Sequence, residues 1–545
     1  MRFRLLLHLA VLQIAAAASA AGGGLPPGSP GMVVTSEPQA AVAGLNILLD
    51  GGNAVDAAVA VAATLGVTEP YLSGIGGDGF MTVYWAESGE VHVLDFSGRV
   101  PAAVEDALLS GGHIPIDGPG SVVVPGAAAG WHAALERFGS LELSAILAPA
   151  IRLAEQGFEA SVYTAEAMSW AAGLFYEWDE IGAMTWWNGE LFPPEAGGII
   201  RNERLADTYR LLAEQGLLSF YDGEVADLIA GALAEHGGVV AAQDLRDYEP
   251  LWSEPLRVDY RGYGLYAPRL NSTGGLATLQ VMQILEGYDV AAWDEADYVH
   301  HLVEAIKLAA RDRAAWGGDP DFLAEPVPYD HLLSDEYAAE QRSLIDSTSV
   351  ATSGPVGPEQ PGTSHISVID SRGNMVAMTL SIGDGWGSGF VAGESGVVLN
   401  NSLTLFSTDE GSASALAPLK RVPWNMTPMI VLNEGEPWLA LGTPGGTGIW
   451  QSLPQVLTRL IDKGETLEEA IEAPRFRWQL GGNAVGLENR FAEGVAAELG
   501  ERGHEIRDYG AWAIAAGAVN GIERQPDAGP AGAVDPRREG LVVGW

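Results

Sequence analysis

Two alternating runs on either side of a four-residue turn fix the centre of this fold. Thr363-Ser364-His365-Ile366-Ser367-Val368-Ile369-Asp370 emerges from a Pro/Gly-rich stretch and reads as a strand. Ser371-Arg372-Gly373-Asn374 supplies a turn, and Met375 to Ser381 returns as the second strand. A hairpin centred near Arg372 pairs positions whose numbers sum to about 744. Ser381 then stands opposite Thr363. Two hydroxyls side by side, just after a flexible linker, suit a chain that cuts itself between Gly362 and Thr363. The freed α-amine of Thr363 would act as its own base. Model α-amines have a pKa of roughly 7.7–8.0, so no distant histidine is required.

The rest of the chain supplies layers for that hairpin. Met32-Val33-Val34 is a short apolar strand, followed by alanine-rich helices over 38–48 and 54–65 with a break at Asp50-Gly51-Gly52-Asn53. The loop Ser73-Gly74-Ile75-Gly76-Gly77-Asp78-Gly79 lacks a Gly-Lys-Ser/Thr ending and opens onto a strand. Close backbone packing therefore explains it better than phosphate binding. Strands are expected over 80–85 and 91–96, and a mainly helical region from Pro125 to about Leu285. Trp170, Phe175, Tyr176, Trp178, Trp186 and Trp187 cluster there, as core or as one wall of an apolar pocket.

A helix is expected over 298–316. Its adjacent His300 and His301 point to different faces and make a poor metal pair. Glu304, Lys307, Arg311, Asp312 and Arg313 have the spacing of helix-surface salt bridges. Residues 345 to 362 form a Ser/Thr/Gly/Pro-rich linker. Beyond the hairpin, strands are expected over 396–399, 429–432 and 438–441, and a helix over 451–463 that Pro454 starts or kinks. Two strand-rich blocks flanked by helical blocks suggest a helix–sheet–sheet–helix sandwich. Thr443-Pro444-Gly445-Gly446-Thr447-Gly448 lies between a strand and that helix. It reads either as a plain turn or as a source of oxyanion-binding N–H groups from Gly445 and Gly446.

Charge and length bound the partners. The 545 residues contain no cysteine and carry a formal net charge of −42, with lysine only at 307, 420 and 463. Such a surface repels nucleic acid and anionic membranes; a solvated acidic shell explains it, a polycation site being the alternative. Arg2 and Arg4 precede an apolar run from Leu5 to Ala18, and Ala18-Ser19-Ala20 has the form of a cleavage site. A leader over 1–20 and a secreted or periplasmic protein follow as expectations, with an ordinary apolar helix as the alternative. No later stretch reads as transmembrane. No Gly-x-Ser-x-Gly elbow is present, which leaves Ser395 as a turn residue.

Taken together, Thr363-Ser364-His365, Gly393-Glu394-Ser395-Gly396, Asn400-Asn401, Met426-Thr427-Pro428, Pro444-Gly445-Gly446, Ala473-Pro474-Arg475-Phe476 and Asp535-Pro536-Arg537-Arg538 resemble, in order, the γ-glutamyltransferase family of N-terminal nucleophile hydrolases. Upstream, the 51–58 and 73–77 segments and Gly318-Asp319-Pro320-Asp321-Phe322 agree. The resemblance implies an α+β, four-layer αββα sandwich. It implies a proenzyme cleaved before Thr363 into a large subunit (21–362) and a small subunit (363–545), intertwined, with no cofactor or metal. Thr363 would be the nucleophile, Ser381 its hydroxyl partner, and Gly445 and Gly446 the oxyanion hole.

The departures lie in substrate recognition. The family's carboxylate-binding Arg falls at Ser97 in Phe96-Ser97-Gly98-Arg99-Val100-Pro101. If that segment is a strand, Arg99 faces the same side as Ser97 and could substitute. Paired serines become Trp424-Asn425, the amine-binding acid falls at Leu405 in the segment that contains Ser402, and an Asn becomes Gly383, next to Asp384. Each lost charge-assisted contact is worth about 1.5–3 kcal/mol. The expected protein is thus an amidohydrolase or acylase that cleaves a γ-glutamyl or related small-molecule acyl amide through an acyl-Thr363 intermediate, weak on glutathione. A glutathione hydrolase or transpeptidase with relocated anchors Arg99 and Asp384, and a non-catalytic binding homologue, are the alternatives.

Overall fold

The computed structural model describes residues 31–104, 113–178, 185–186, 190, 192–269, 271–351, 362–525 and 529–545. The expected leader, Trp187 and residues 352–361 of the expected linker lie outside them. Among the described residues no helix is long and apolar enough to cross a membrane.

Two antiparallel sheets face each other. The first has seven strands in the spatial order Leu541–Gly544, Met32–Thr35, Gly362–Ile369, Met375–Gly383, Asp78–Trp85, Glu90–Phe96, Leu251–Ser253. The second has six, in the order Gly529–Ala533, Asn520–Gln525, Glu436–Gly442, Met429–Asn433, Tyr263–Ala267, Leu256–Tyr260. Both sheets combine strands from before and after Gly362, and in the first the upstream strand Met32–Thr35 is inserted between two downstream ones.

Period-two alternation sets the layers. On the first sheet Val33, Ile366, Val368, Val376 and Met378 point to one helical layer. Met32, Val34, Ile369, Met375 and Ala377 point inward against Ile430, Leu432, Ala440 and Ile522 of the second sheet. Met429, Val431, Leu439 and Leu441 face a second helical layer built from Thr273–Glu286, Glu295–Trp316 and Ile449–Ile461. The result is an αββα sandwich, as expected.

The Ala54–Thr68 helix is buried along its whole length. Its small side chains allow close approach: a Cβ on Gly44 of the neighbouring Pro38–Leu49 helix would sit 2.5 Å from Val61. Asn53 caps it and Asp56 closes the capping box, worth about 1 kcal/mol.

Several expectations need correction. The region from 125 to 285 also contains the strands Leu251–Ser253, Leu256–Tyr260 and Tyr263–Ala267. The expected strand over 396–399 is a single bridge, Val391 to Val398. Pro454 does not start its helix but lies inside the buried Ile449–Ile461 segment, the position that goes with the kink alternative. Lys307 and Glu304 form an ion pair at 2.8 Å that is buried rather than superficial. Arg311 bonds Gln341, and Arg313 bonds Asn425 and Thr273, so neither makes the expected helix-surface salt bridge among the described residues.

Candidate active site

The hairpin keeps the expected register up to a point. Thr379 pairs with His365 and Leu380 with Ser364; the ladder then shifts so that Gly383 faces Gly362. The irregularity turns Ser381 onto the scissile position. Its Oγ donates to the Gly362 carbonyl in a short hydrogen bond and accepts from the Gly383 N–H at 2.9 Å. Thr363 Oγ1 lies 2.6 Å from the same Gly362 oxygen. Arg538 Nη1 donates to the Thr363 carbonyl at 2.8 Å and so fixes the residue from its other end. Thr363 is 2% exposed. Next to it, Ser364 Oγ donates to Glu69, which also accepts from Ser36.

The glycine-rich loop packs behind Ser381, the backbone role expected of it. A Cβ on Gly77 would lie 2.1 Å from the Ser381 carbonyl. The strand that follows begins with Asp78, whose ladder partner is Ser381. Paired residues of an antiparallel ladder share a face, so Thr363, Ser381 and Asp78 form a polar row on the inner side of the sheet. Asp78 accepts from the Gly98 amide at 2.9 Å. Burial pushes its carboxyl up to about 8; Asp95 reinforces this, while the Gly98 amide, Trp424 and Ser402 oppose it. The buried Ser97 hydroxyl beside it has no hydrogen-bond partner among the described residues. Trp424, Leu405, Phe80 and Met426 pack together and make this flank apolar.

The oxyanion-loop candidates come from the opposite sheet. Ser367 Oγ bonds the Ala440 carbonyl at 3.3 Å, and the His365 ring lies where a Cβ on Gly442 would be, 2.3 Å from His365 Cε1. The Glu436–Gly442 strand thus ends against His365, and the 444–446 turn follows it. Gly445 (φ 125°) and Gly446 (φ 57°) both occupy the region that favours glycine. His365 is held neutral: burial lowers its pKa to about 3, and its ring nitrogens meet Thr379 and Ser367. It is a packing element between the sheets.

A cavity of about 290 Å³ opens beside Gly362. Gly362, Gly385, Tyr71, Tyr163, Trp170 and Trp386 are among the residues that line it. Trp170, one of the clustered aromatics, therefore belongs to a pocket wall, whereas Phe175 and Trp186 are core.

The chain's relatives agree with this geometry. Residues 40–545 match the family model described as Gamma-glutamyltranspeptidase. The chain belongs to the gamma-glutamyltranspeptidase family. Curated relatives include an acylase ACY 1 proenzyme of Pseudomonas sp. (strain SE83), 36% identical, covering 95% of this chain and 94% of the relative. The glutathione hydrolase proenzyme of Escherichia coli (strain K12) is 34% identical, with 94% and 92% covered. Among solved structures, the cephalosporin acylase from Bacillus halodurans matches with a TM-score of 0.89 at 36% identity, covering 96% and 97%. Gamma-glutamyltranspeptidase family members with these names are hydrolases and acyltransferases, and this chain is an enzyme of that N-terminal nucleophile class.

Not every expected site residue of this family member meets the others. Asp384 is half-buried beside Gly362, with its carboxylate near Asn401 Nδ2 at 3.2 Å; burial raises its pKa. Ser402 and Trp424 flank Asp78. Asn425 is turned instead to Arg313, at 2.5 Å. Arg99 is a correction. The strand ends at Phe96, so the alternation that would carry Arg99 to the Ser97 side stops there. Its guanidinium meets the Leu419 and Asp247 carbonyls at 2.8 and 3.4 Å. Ser395 lies in a turn, donating to Ala392. His300 pairs with His504 at 2.9 Å and with the Asp346 carbonyl at 2.7 Å, while Glu304 holds Lys307. The ligand-capable side chains grouped with His300 are Glu304, one helical turn on, and His504, rather than the adjacent His301. Asp78 and Arg538 were missed. The register alone could have found Asp78, by carrying the Ser381 row one strand further.

Proposed function

We propose that this enzyme is a self-processing amidohydrolase working through an acyl-Thr363 intermediate. The observation that carries the reading is the convergence of Thr363 Oγ1 and Ser381 Oγ on one carbonyl oxygen, that of Gly362. In processing, Oγ1 attacks the Gly362 carbonyl carbon, the Gly362–Thr363 C–N bond breaks, and the nitrogen becomes the α-amine of Thr363. Water hydrolyses the resulting ester. Ser381 stabilises the developing oxyanion by hydrogen bonding, a contribution of about 3–4 kcal/mol for a buried donor.

In turnover the α-amine takes the Oγ1 proton and returns one to the leaving amine. The Gly445 and Gly446 amides are the second set of oxyanion donors. The products of processing are a large subunit ending at Gly362 and a small subunit beginning at Thr363. Residues 1–20 direct export and are removed.

The substrate is a small amide rather than glutathione. Ser97, Trp424 and Leu405 stand where the family's head-group contacts are expected, and the Arg99 guanidinium is engaged by backbone carbonyls. Asp384, beside Gly362, is the remaining support for the glutathione reading. Intact-mass measurement on purified protein incubated with mixed amides tests the proposal. Two fragments and an acyl adduct on the Thr363 fragment are expected. A single uncut chain that hydrolyses amides at full rate refutes it, and fast turnover of a γ-glutamyl anilide refutes the substrate part.

A further inference from the structure

The precursor holds its own acyl group in place. Gly362 is the acyl donor of the self-cleavage reaction, so its carbonyl stands in for a substrate carbonyl and its Cα for the carbon next to it. An L side chain on that carbon has no room: a Cβ on Gly362 would lie 2.4 Å from the Gly383 carbonyl oxygen and 2.8 Å from the Asp384 carbonyl carbon. The backbone of Gly383 and Asp384 therefore demands a methylene there, at least in that direction.

Rings lie beside this methylene. Gly362 lines the 290 Å³ cavity together with Tyr71, Tyr163, Trp170 and Trp386. Tyr71 is the hinge of the wall, with ring centroids 5.8 Å from Tyr163 and 5.9 Å from Trp386. Trp170 is 70% exposed and lies against Gly385, where a Cβ would be 3.0 Å from its Cζ3. Among the described residues Glu166 is the one charged side chain on the lining; Arg538 lies by Tyr163, 5.7 Å from its ring centroid, and is turned to the Thr363 carbonyl. An acyl chain ending in a carboxylate would meet the Glu166 anion on that wall. A flat, uncharged ring would meet aromatic faces, with offset or edge contacts worth having in addition to buried area.

We propose that the processed enzyme takes arylacetyl amides, with the methylene in the place of Gly362 and the ring in the Tyr71–Tyr163–Trp170 cavity. This names the substrate class of the acyl-Thr363 reading and rests on it. Thr363 Oγ1 attacks the arylacetyl carbon, the amide C–N bond breaks, and the amine leaves with the proton carried by the Thr363 α-amine. Water then hydrolyses the ester, releasing the arylacetate and restoring the hydroxyl.

The test uses processed full-length enzyme and four p-nitroanilides: phenylacetyl, acetyl, γ-glutamyl and (R)-2-phenylpropanoyl. In the last, the methyl group takes the closed L direction. Expected are a kcat/KM for phenylacetyl at least about tenfold above acetyl and γ-glutamyl, and a loss of about 100-fold or more for the (R)-2-phenylpropanoyl compound. In Trp170→Ala the phenylacetyl-to-acetyl ratio should fall at least about fivefold, mainly through KM. Mass spectrometry of the small subunit reports acyl adducts in parallel. Adducts on Thr363 without the aryl preference, or with the branched compound accepted equally, overturn the pocket assignment alone. No adduct with any compound defeats the acyl-enzyme reading and the assignment with it.

Discussion

Ser381→Ala isolates the step on which the chemistry depends. Ser381 Oγ has two buried partners, the Gly362 carbonyl that it donates to and the Gly383 N–H that it accepts from. Loss of the donor removes stabilisation of the oxyanion formed when Thr363 attacks. For a preorganised donor in a water-excluded site this is about 3–4 kcal/mol, so self-cleavage should slow by about 100- to 1,000-fold. The orphaned Gly383 N–H has a separate effect, lowering stability by about 1–3 kcal/mol. The two are measured independently. The half-time for conversion of one band to two on denaturing gels reports the first. Urea unfolding of S381A in a Thr363→Ala background, compared with Thr363→Ala alone, reports the second. Ser381→Thr keeps the hydroxyl and should process far faster than the alanine variant. Processing of S381A within threefold of the native rate (about 0.65 kcal/mol) would refute the role assigned to this hydroxyl.

Three further outcomes are expected. Gly442→Ala places a Cβ 2.3 Å from the His365 ring, and the overpacking should lower stability by about 1–3 kcal/mol in urea unfolding. His365 has a folded-state pKa of about 3, below its ordinary 6.5, so the unfolded chain binds the proton first. Its contribution is intact above pH 6.5 and erodes as pH falls towards 3, by about 2 kcal/mol at pH 5; urea titrations of the Thr363→Ala precursor at pH 8 and pH 5 should show this drop. Lys307→Met leaves Glu304 buried without its cation, which should cost about 3–5 kcal/mol and lower the urea midpoint markedly.

The hairpin, the two alanine-rich helices and the layer order were legible because each has a strong local signal: strict alternation, or a run of small apolar residues. The strands between 251 and 267 were not. Leu251–Ser253 is short and its partner, Glu90–Phe96, is far away in sequence; Leu256–Tyr260 and Tyr263–Ala267 instead pair with each other across a tight turn, and the Leu-Arg-Val-Asp-Tyr alternation was a local signal that went unread. The 396–399 segment shows the reverse, an apolar run that tertiary packing confines to a single bridge. At the site, Thr363 and Ser381 could be read from pairing arithmetic. Arg99 could not, because its position depended on a strand continuing past Phe96. Asn425 was misplaced for a different reason: its partner Arg313 lies on a distant helix, and no local pattern links the two. The buried Lys307–Glu304 pair had the spacing of a surface contact, and burial is a property of what packs above a helix rather than of its own sequence.

The Met32–Thr35 strand lies between Leu541–Gly544 and Gly362–Ile369. In the processing proposed above it belongs to the upstream fragment yet is flanked on both sides by the downstream one. Such threading dictates an order of events: the whole precursor has to complete its folding before the cut, since a fragment made alone lacks the neighbours on which its edges close. Two pieces synthesised from separate messages should accordingly fail to assemble unless they meet while both are still unfolded, and the matured heterodimer should come apart only by melting.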